Sequence, residues 1–273
     1  MADILRRVIA SLAVTSLAYL AIFIFPNWIF CLVVMLFVCV ALYEFFSIVE
    51  KNGIVVYKYF GIIAGAVIPI AIYLHLGGGY TNLEPFFIVI ACLFMFVLQL
   101  IRKESAKNHL TGVALTLLAL FYISWFLSFL IKIKYLPGGT GLVAFVIIVT
   151  KMGDIGAYFI GKRFGRHALI ARISPRKTKE GALGGLVASV AAAFLCRTFL
   201  VDFSHVHVLL LGFLLGIIGQ VGDLAESLFK RDFEVKDSGS ELPGLGGVLD
   251  VLDSLLFTIP IFYFYIKLLV LAP

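Results

Sequence analysis

Long apolar runs decide what kind of protein this sequence can form. Nine stretches of about 16 to 22 residues carry almost no charge: 8–25, 28–49, 59–76, 86–101, 110–131, 141–160, 182–201, 206–222 and 254–272. A helix needs roughly 17 to 25 such residues to cross about 30 Å of hydrocarbon. The runs are continuous rather than alternating with a period of two, which favours helices over a barrel. We therefore expect an all-α polytopic integral membrane protein with about nine transmembrane helices.

Composition excludes several other classes of protein. Hydrophobic residues make up 62% of the chain and charged residues only 14%, whereas a soluble domain has about 25% charged residues. A water-soluble enzyme, a disordered chain and a nucleic-acid-binding domain are excluded, and we expect no nucleic-acid partner despite the net charge of +6. In a membrane protein, basic excess usually marks the cytoplasmic loops.

The basic residues are distributed unevenly between alternate loops. If Arg6 and Arg7 are cytoplasmic, 17 Lys and Arg residues face the cytoplasm, and only four lie on the other side: Lys132, Lys134, Arg197 and Lys267. This asymmetry predicts a cytoplasmic N-terminus and an external C-terminus. We divide the chain into an N-terminal membrane region of about five helices, 1–140, and a C-terminal region of about four helices with two long cytoplasmic loops, 141–273.

The first long loop, 161–180, has seven basic residues and one acid. Ser174-Pro175 has the pattern of a helix N-cap followed by proline at the first helical position. The amides and cations of that turn, including Lys177 and Thr178, would then face an anion. A solvated basic loop that only sets the topology is an equally open interpretation.

The second long stretch, 222–254, carries charges of both signs between glycines. If the eighth helix continues beyond Gly222, four polar residues share one face: Asp223, Glu226, Ser227 and Lys230. Asp250 and Asp253 have the same spacing where the ninth span begins. The carboxylates at these two helix ends could bind one Mg²⁺, which takes one or two carboxylates together with substrate phosphates. Ordinary helix-end charges paired with Lys and Arg remain the alternative.

Ionisable residues also occur inside the spans, where burial in hydrocarbon costs several kcal/mol. Lys151 and Asp154 lie one turn apart and could neutralise each other, while Glu44 lies at the depth of the polar loops. Glycines at 212, 216, 219 and 222 predict a seam along the eighth span where another helix packs closely.

The longest polar motif runs from Ser227-Leu-Phe-Lys230-Arg231 through Lys236-Asp237 to Asp250-Val-Leu-Asp253. It resembles the C-terminal motif of phosphatidate cytidylyltransferases, the CDP-diacylglycerol synthases. Residues 154–161, Gly165 and 173–181 look like the preceding blocks of that family. The resemblance covers about the C-terminal half of the chain, and the first five spans match only in hydropathy.

The resemblance implies the synthesis of CDP-diacylglycerol and pyrophosphate from CTP and phosphatidate for phospholipid biosynthesis. It also implies a bacterial inner-membrane protein with a cytoplasmic active site, Mg²⁺ as the cofactor with a second cation left open, contact with membrane lipids, and a homodimer. By similarity, the catalytic residues would be Asp223, Lys236, Asp237, Asp250 and Asp253, of which Asp223, Asp250 and Asp253 would bind the metal. Residues that contact substrate or phosphate would be Asp154, Ser174, Arg176, Lys177, Thr178, Ser227, Lys230 and Arg231.

Two positions depart from the family pattern. Leu245 stands where the family usually has His, and Val251 where it usually has Arg. No carboxylate is lost, so we expect an active enzyme with at most weakened phosphate binding. A CTP-dependent lipid-alcohol kinase would need the same lipid, nucleotide and metal, and remains an alternative. A cation-coupled transporter is disfavoured because the polar residues concentrate in loops on one side of the membrane, without a visible inverted repeat.

Overall fold

The computed structural model describes residues 2–78, 83–101, 109–200, 203–239, 242, 244 and 246–270. Its helices are α1 Ala2–Tyr19, α2 Asn27–Lys51, α3 Lys58–Leu76, α4 Leu83–Ile101, α5 His109–Ala119, α6 Phe126–Lys134, α7 Gly139–Phe164, α8 Lys179–Leu195, α9 His205–Asp232 and α10 Val248–Tyr265. π-helical segments extend α1 and α10 and join α5 to α6. Strands β1 (Ala168–Ile170) and β2 (Ser174–Thr178) form an antiparallel hairpin between α7 and α8.

Eight helices of the described residues are long and apolar enough to cross a membrane, which makes this an integral membrane protein of all-α class. The expected span 182–201 is the exception, because α8 has 17 residues and ends at Leu195. At 1.5 Å per residue it is about 26 Å long, shorter than the hydrocarbon core of about 30 Å.

The side on which α8 ends is directly testable. In the predicted topology both long polar stretches, 161–180 and 222–254, face the cytoplasm because α8 and α9 both cross the membrane. We therefore expect Ser204→Cys, in the turn between them, to react with a membrane-impermeant thiol reagent from outside sealed cells. Arg172→Cys, in the hairpin, should react only after the cells are opened. Labelling of both positions from the same side would contradict the predicted topology.

The chain divides into two compact units. The first comprises Met1–Lys132 and Asp237–Val251, and the second comprises Ile133–Lys236 and Leu252–Pro273. The sequence division at residue 140 stays a prediction, and the segment 237–251 groups with the N-terminal helices. Within this unit the buried carboxylate of Glu44 of α2 accepts hydrogen bonds from the amides of Val248 and Leu249.

Close helix packing through glycine holds the first unit together. Gly61 and Gly65 of α3 lie against Phe46 and Leu42 of α2, where a β-carbon would collide with either side chain. The Ser124 hydroxyl donates to the Gly65 carbonyl oxygen at 2.6 Å. The absence of side chains on α3 therefore lets apolar side chains of α2 fill the space between the helices.

The second unit is built on the same principle, and the predicted glycine seam of α9 is confirmed. Gly212 and Gly216 face α8, at Val190 and at Leu186 and Ser189. A β-carbon on Gly222 would lie 2.7 Å from the carbonyl oxygen of Asp253. Gly222 thus brings α9 against α10 at the positions of Asp223 and Asp253.

The interpretation of Ser174-Pro175 as a helix start is wrong. Both residues belong to β2, and proline is tolerated there because β2 is an edge strand. Thr178 caps α8 instead, since its hydroxyl oxygen accepts from the Gly181 amide at 3.1 Å. Glu180 fastens the hairpin to α8 by accepting hydrogen bonds from the amides of Arg166 and His167. The 2.6 Å contact with the His167 ring is the main cause that lowers the pKa of Glu180 to about 2.

Candidate active site

A cavity of about 480 Å³ opens within the second unit, between α7, α8, α9 and the β-hairpin. Its polar wall contains six residues that the sequence had singled out: Asp154, Ser174, Arg176, Lys177, Thr178 and Asp223. Residues Ala157, Tyr158, Leu169 and Leu224 contribute an apolar wall. A cavity with cations on one wall and apolar groups on another suits a ligand that combines phosphate with a less polar part.

Asp223 lies at the cationic wall. The Lys177 ammonium nitrogen is 2.6 Å from Asp223 Oδ1 and 3.3 Å from the Ser227 hydroxyl oxygen. The continuation of α9 to Asp232 places Asp223 and Ser227 one turn apart, as the sequence predicted. Lys177 therefore connects the hairpin to α9.

A second lysine lies among carboxylates of α7 and α10. Lys151 Nζ is 2.9 Å from Asp154 Oδ2 and 3.8 Å from Asp253 Oδ1, and it donates to the Ser254 hydroxyl at 2.8 Å. The same hydroxyl donates to Asp154 at 2.7 Å. The expected pairing of Lys151 with Asp154 is thus confirmed, within a larger network that includes α10.

Asp223 and Asp253 meet at this network. Gly222 packs against Asp253 at this point, and both carboxylates act electrostatically on Lys151. Two carboxylates so close repel each other unless a proton or a cation lies between them. The donor set therefore fits a small oxygen-preferring cation such as Mg²⁺.

No three Asp, Glu, His or Cys side chains are grouped so as to hold a metal ion by themselves, as far as the described part of the chain extends. Mg²⁺ characteristically uses one or two carboxylates and completes its coordination with substrate phosphates and water. Asp223 and Asp253 together supply two carboxylates, which is within that number.

Asp250 has a different environment, in the first unit. Its Oδ2 accepts hydrogen bonds from the backbone amides of Ser238 and Gly247, at 2.9 and 2.7 Å. Gly247 directly precedes α10, so this contact is half of a capping box, in which the third helical residue binds the amide before the helix. The sequence did not predict this role, and metal binding by Asp250 stays a prediction.

The other predicted residues do not line the cavity. Lys230 forms an ion pair with buried Glu226, and Arg231 Nε donates to the Ile173 carbonyl oxygen at 3.3 Å. Lys236 and Asp237 are exposed in the bend that follows α9. Leu245 lies outside the described residues.

Sequence reasoning missed several residues of the site. Lys162, Gly161 and Gln220 line the cavity, and Ser254 connects Lys151 to Asp154. Gln220 precedes Asp223 by one turn of α9, and Ser254 follows Asp253 directly. Their closeness in the sequence to Asp223 and Asp253 is the signal that could have identified them as site residues.

Comparison with known families decides the assignment. A model described as the cytidylyltransferase family matches residues 5–269. The chain belongs to the cytidylyltransferase family. The resemblance read from the C-terminal motifs is therefore confirmed, and the family match extends over the first five spans as well.

Individual relatives of this cytidylyltransferase agree. The phosphatidate cytidylyltransferase of Bacillus subtilis is 38% identical over 64% of this chain and 67% of its own length. That of Synechocystis is 30% identical over 97% of both chains. The uncharacterized protein YnbB of Escherichia coli is 40% identical over 57% of this chain, and the match spans only about half, 52%, of that relative.

Proposed function

We propose that this protein is a phosphatidate cytidylyltransferase, which makes CDP-diacylglycerol and pyrophosphate from CTP and phosphatidate. Family membership and the names of the relatives support a nucleotidyltransferase. The observation that carries the proposal is the cavity, where the Asp223 carboxylate meets the cation of Lys177, next to the network in which Lys151 pairs with Asp253.

The chemistry of this transfer matches the residues present. A phosphate monoester carries a charge of about −1.5 to −2 near neutral pH, so the lipid phosphate is already a nucleophile and no general base is required. The difficulty is to bring two polyanions together and to stabilise the pyrophosphate that leaves. Lys162, Arg176 and Lys177 line one cavity and supply positive charge for that purpose.

Asp223 and Asp253 would hold Mg²⁺, and Asp250 is predicted as a further ligand. When bound, the ion would neutralise charge on the triphosphate and the leaving pyrophosphate. Lys151 balances part of the carboxylate charge and, with Ser254, fixes the orientation of Asp154.

The proposal includes a bacterial inner-membrane location with the cavity open to the cytoplasm, where CTP is available. The basic hairpin beside the cavity supports that orientation, because basic segments face the cytoplasm. A homodimer is proposed from the family resemblance alone.

One assay separates this function from its alternatives. The purified protein is incubated with labelled CTP and Mg²⁺, in parallel with phosphatidate and with diacylglycerol. We expect label in a CDP-lipid, with one pyrophosphate released per lipid, only with phosphatidate. Phosphorylation of diacylglycerol with release of CDP would establish a lipid-alcohol kinase instead. If neither product forms and proteoliposomes take up a solute in a cation-dependent way, a transporter would be supported.

Lys177 should matter more than its neighbour Lys179. Lys177 reaches Asp223 and Ser227 across the cavity, whereas Lys179 is exposed at the start of α8. We expect Lys177→Ala to lower kcat/KM for CTP by about ten- to a hundredfold, the range for a hydrogen bond to a charged group, and Lys179→Ala by less than about threefold. Equal losses in pyrophosphate release would mean that the hairpin acts only through its overall charge.

A further inference from the structure

Glu44 is a buried carboxylate in α2 that the cavity does not use. Only 1% of its surface is exposed. Its Oε1 accepts from the Val248 amide at 2.7 Å, while Oε2 accepts from the Leu249 amide at 2.8 Å and from the Ser238 hydroxyl at 3.0 Å. Both oxygens of the carboxylate are therefore committed to the segment around the start of α10.

The start of α10 needs this partner. The first amides of a helix have no acceptor within the helix, and a side chain just before the helix usually supplies one. That position is occupied here by Gly247, which has no side chain. A β-carbon at Gly247 would also collide with the Ser238 hydroxyl oxygen and with Glu44. Glu44 thus supplies from another helix the acceptor that the local sequence lacks, and its negative charge faces the positive end of the helix dipole.

The same segment fixes Asp250. Ser238 donates its hydroxyl to Glu44 and its amide to Asp250, and Gly247 donates its amide to Asp250. Glu44 and Asp250 therefore hold the same short segment from two sides. A change at Glu44 would be transmitted to Asp250 through Ser238 and through the first turn of α10.

We propose that Glu44 is a positioning residue for the cytidylyl transfer: it fixes the first turn of α10 and so holds the Asp250 carboxylate in its working orientation. The inference rests on the proposed function, in which Asp250 takes part in the reaction. Glu44 is not among the residues that line the cavity and would act through the segment that it holds.

Glu44→Gln is the sharpest test because the side chain keeps its shape. An amide has one acceptor oxygen in place of two, so its NH2 group would face a backbone N–H or the Ser238 hydroxyl. We expect hydrogen–deuterium exchange of the Val248 and Leu249 amides in the full-length protein to accelerate about ten- to a hundredfold. We expect kcat to fall about ten- to a hundredfold, and the Mg²⁺ concentration for half-maximal rate to rise. KM for CTP should change less than about threefold, because the cavity residues of the second unit are intact.

Glu50→Gln is the matched control on the same helix. Glu50 is exposed and pairs with Lys58 at 3.3 Å, so its loss should leave both exchange and kinetics within about twofold of wild type. If Glu44→Gln cannot be purified in a folded state, Ser238→Ala provides the test of the proposal. It removes only the hydroxyl that donates to Glu44 and keeps the amide that donates to Asp250. A three- to tenfold fall in kcat with faster exchange at 248 and 249 is expected.

Unchanged exchange at 248 and 249 would overturn the proposal, and so would faster exchange with wild-type kinetics. A lower unfolding temperature with normal Mg²⁺ dependence and normal kcat per folded molecule would indicate a purely structural role and also contradict it. If the wild-type protein forms no CDP-lipid, the proposed function fails, while the exchange measurement still reports whether Glu44 holds α10.

Discussion

Asp223→Asn is expected to lower the turnover number at least about a hundredfold while leaving a folded protein in the membrane. Asp223 lines the cavity, and its Oδ1 lies 2.6 Å from the Lys177 ammonium nitrogen. Asn has nearly the same shape but no charge, so it would weaken the electrostatic stabilisation on which phosphoryl and nucleotidyl transfer depend. The measurement is pyrophosphate release at saturating CTP and phosphatidate, across a Mg²⁺ titration.

The control for this substitution is Asp232→Asn. Asp232 is an exposed acid at the end of the same helix, so its loss should change turnover by less than about twofold. Near-normal turnover of Asp223→Asn at every Mg²⁺ concentration would remove Asp223 from the metal site.

Asp250→Asn should reduce turnover by a similar factor, although Asp250 also has a structural role. Asn keeps an acceptor oxygen for the amides of Ser238 and Gly247 but loses the negative charge. If the charge serves the reaction, Asp250→Asn loses at least about a hundredfold in turnover with little change in the unfolding temperature. Asp250→Ala should lose the activity and also destabilise the protein by about 0.5 to 2 kcal/mol, the usual cost of a lost helix cap.

The opposite pattern would assign Asp250 to structure alone. In that case Asp250→Asn would be close to wild type in turnover, and only Asp250→Ala would be impaired, together with its stability. Thermal unfolding in detergent, measured beside pyrophosphate release, separates the two roles.

The membrane spans other than 182–201, and the glycine seam of α9, could be predicted because each depends on residues close together in the sequence. Continuous apolar runs identify helices, and glycines three or four residues apart fall on one face. The same local reasoning placed Asp223 and Ser227 together on α9. The same reasoning named Lys177 as a residue of the first turn of a helix. Lys177 does line the cavity, but it belongs to strand β2.

The β-hairpin could not be predicted in this way. Ser174-Pro175 is a valid local signal for a helix N-terminus, but Thr178 provides a competing cap directly before the apolar run of α8. The His167 and Glu180 contacts that fasten the hairpin join residues 13 positions apart. Hydrogen bonds between distant residues therefore overrode a local preference.

The structural role of Asp250 was hidden for the same reason. Its place at the start of α10 was visible, but the contact of Glu44 with Val248 joins residues 204 positions apart. The network of Lys151 and Ser254 spans 103 positions. Such pairings are decided by which helices pack together, and one sequence carries no record of that.

The separation between Glu44 and α10 has a consequence for how the protein is made. A ribosome adds about 5 to 20 residues per second, so roughly 10 to 40 s pass between the synthesis of α2 and that of Val248. During that time Glu44 cannot form its bonds with α10, and a buried carboxylate without its partners costs several kcal/mol. We therefore expect α2 to reach its final depth only after the last helix has been inserted. The first unit begins first during translation but lacks residues 237–251 until most of the second unit has been made, and a chain released before residue 248 should be recognised and degraded as unfinished.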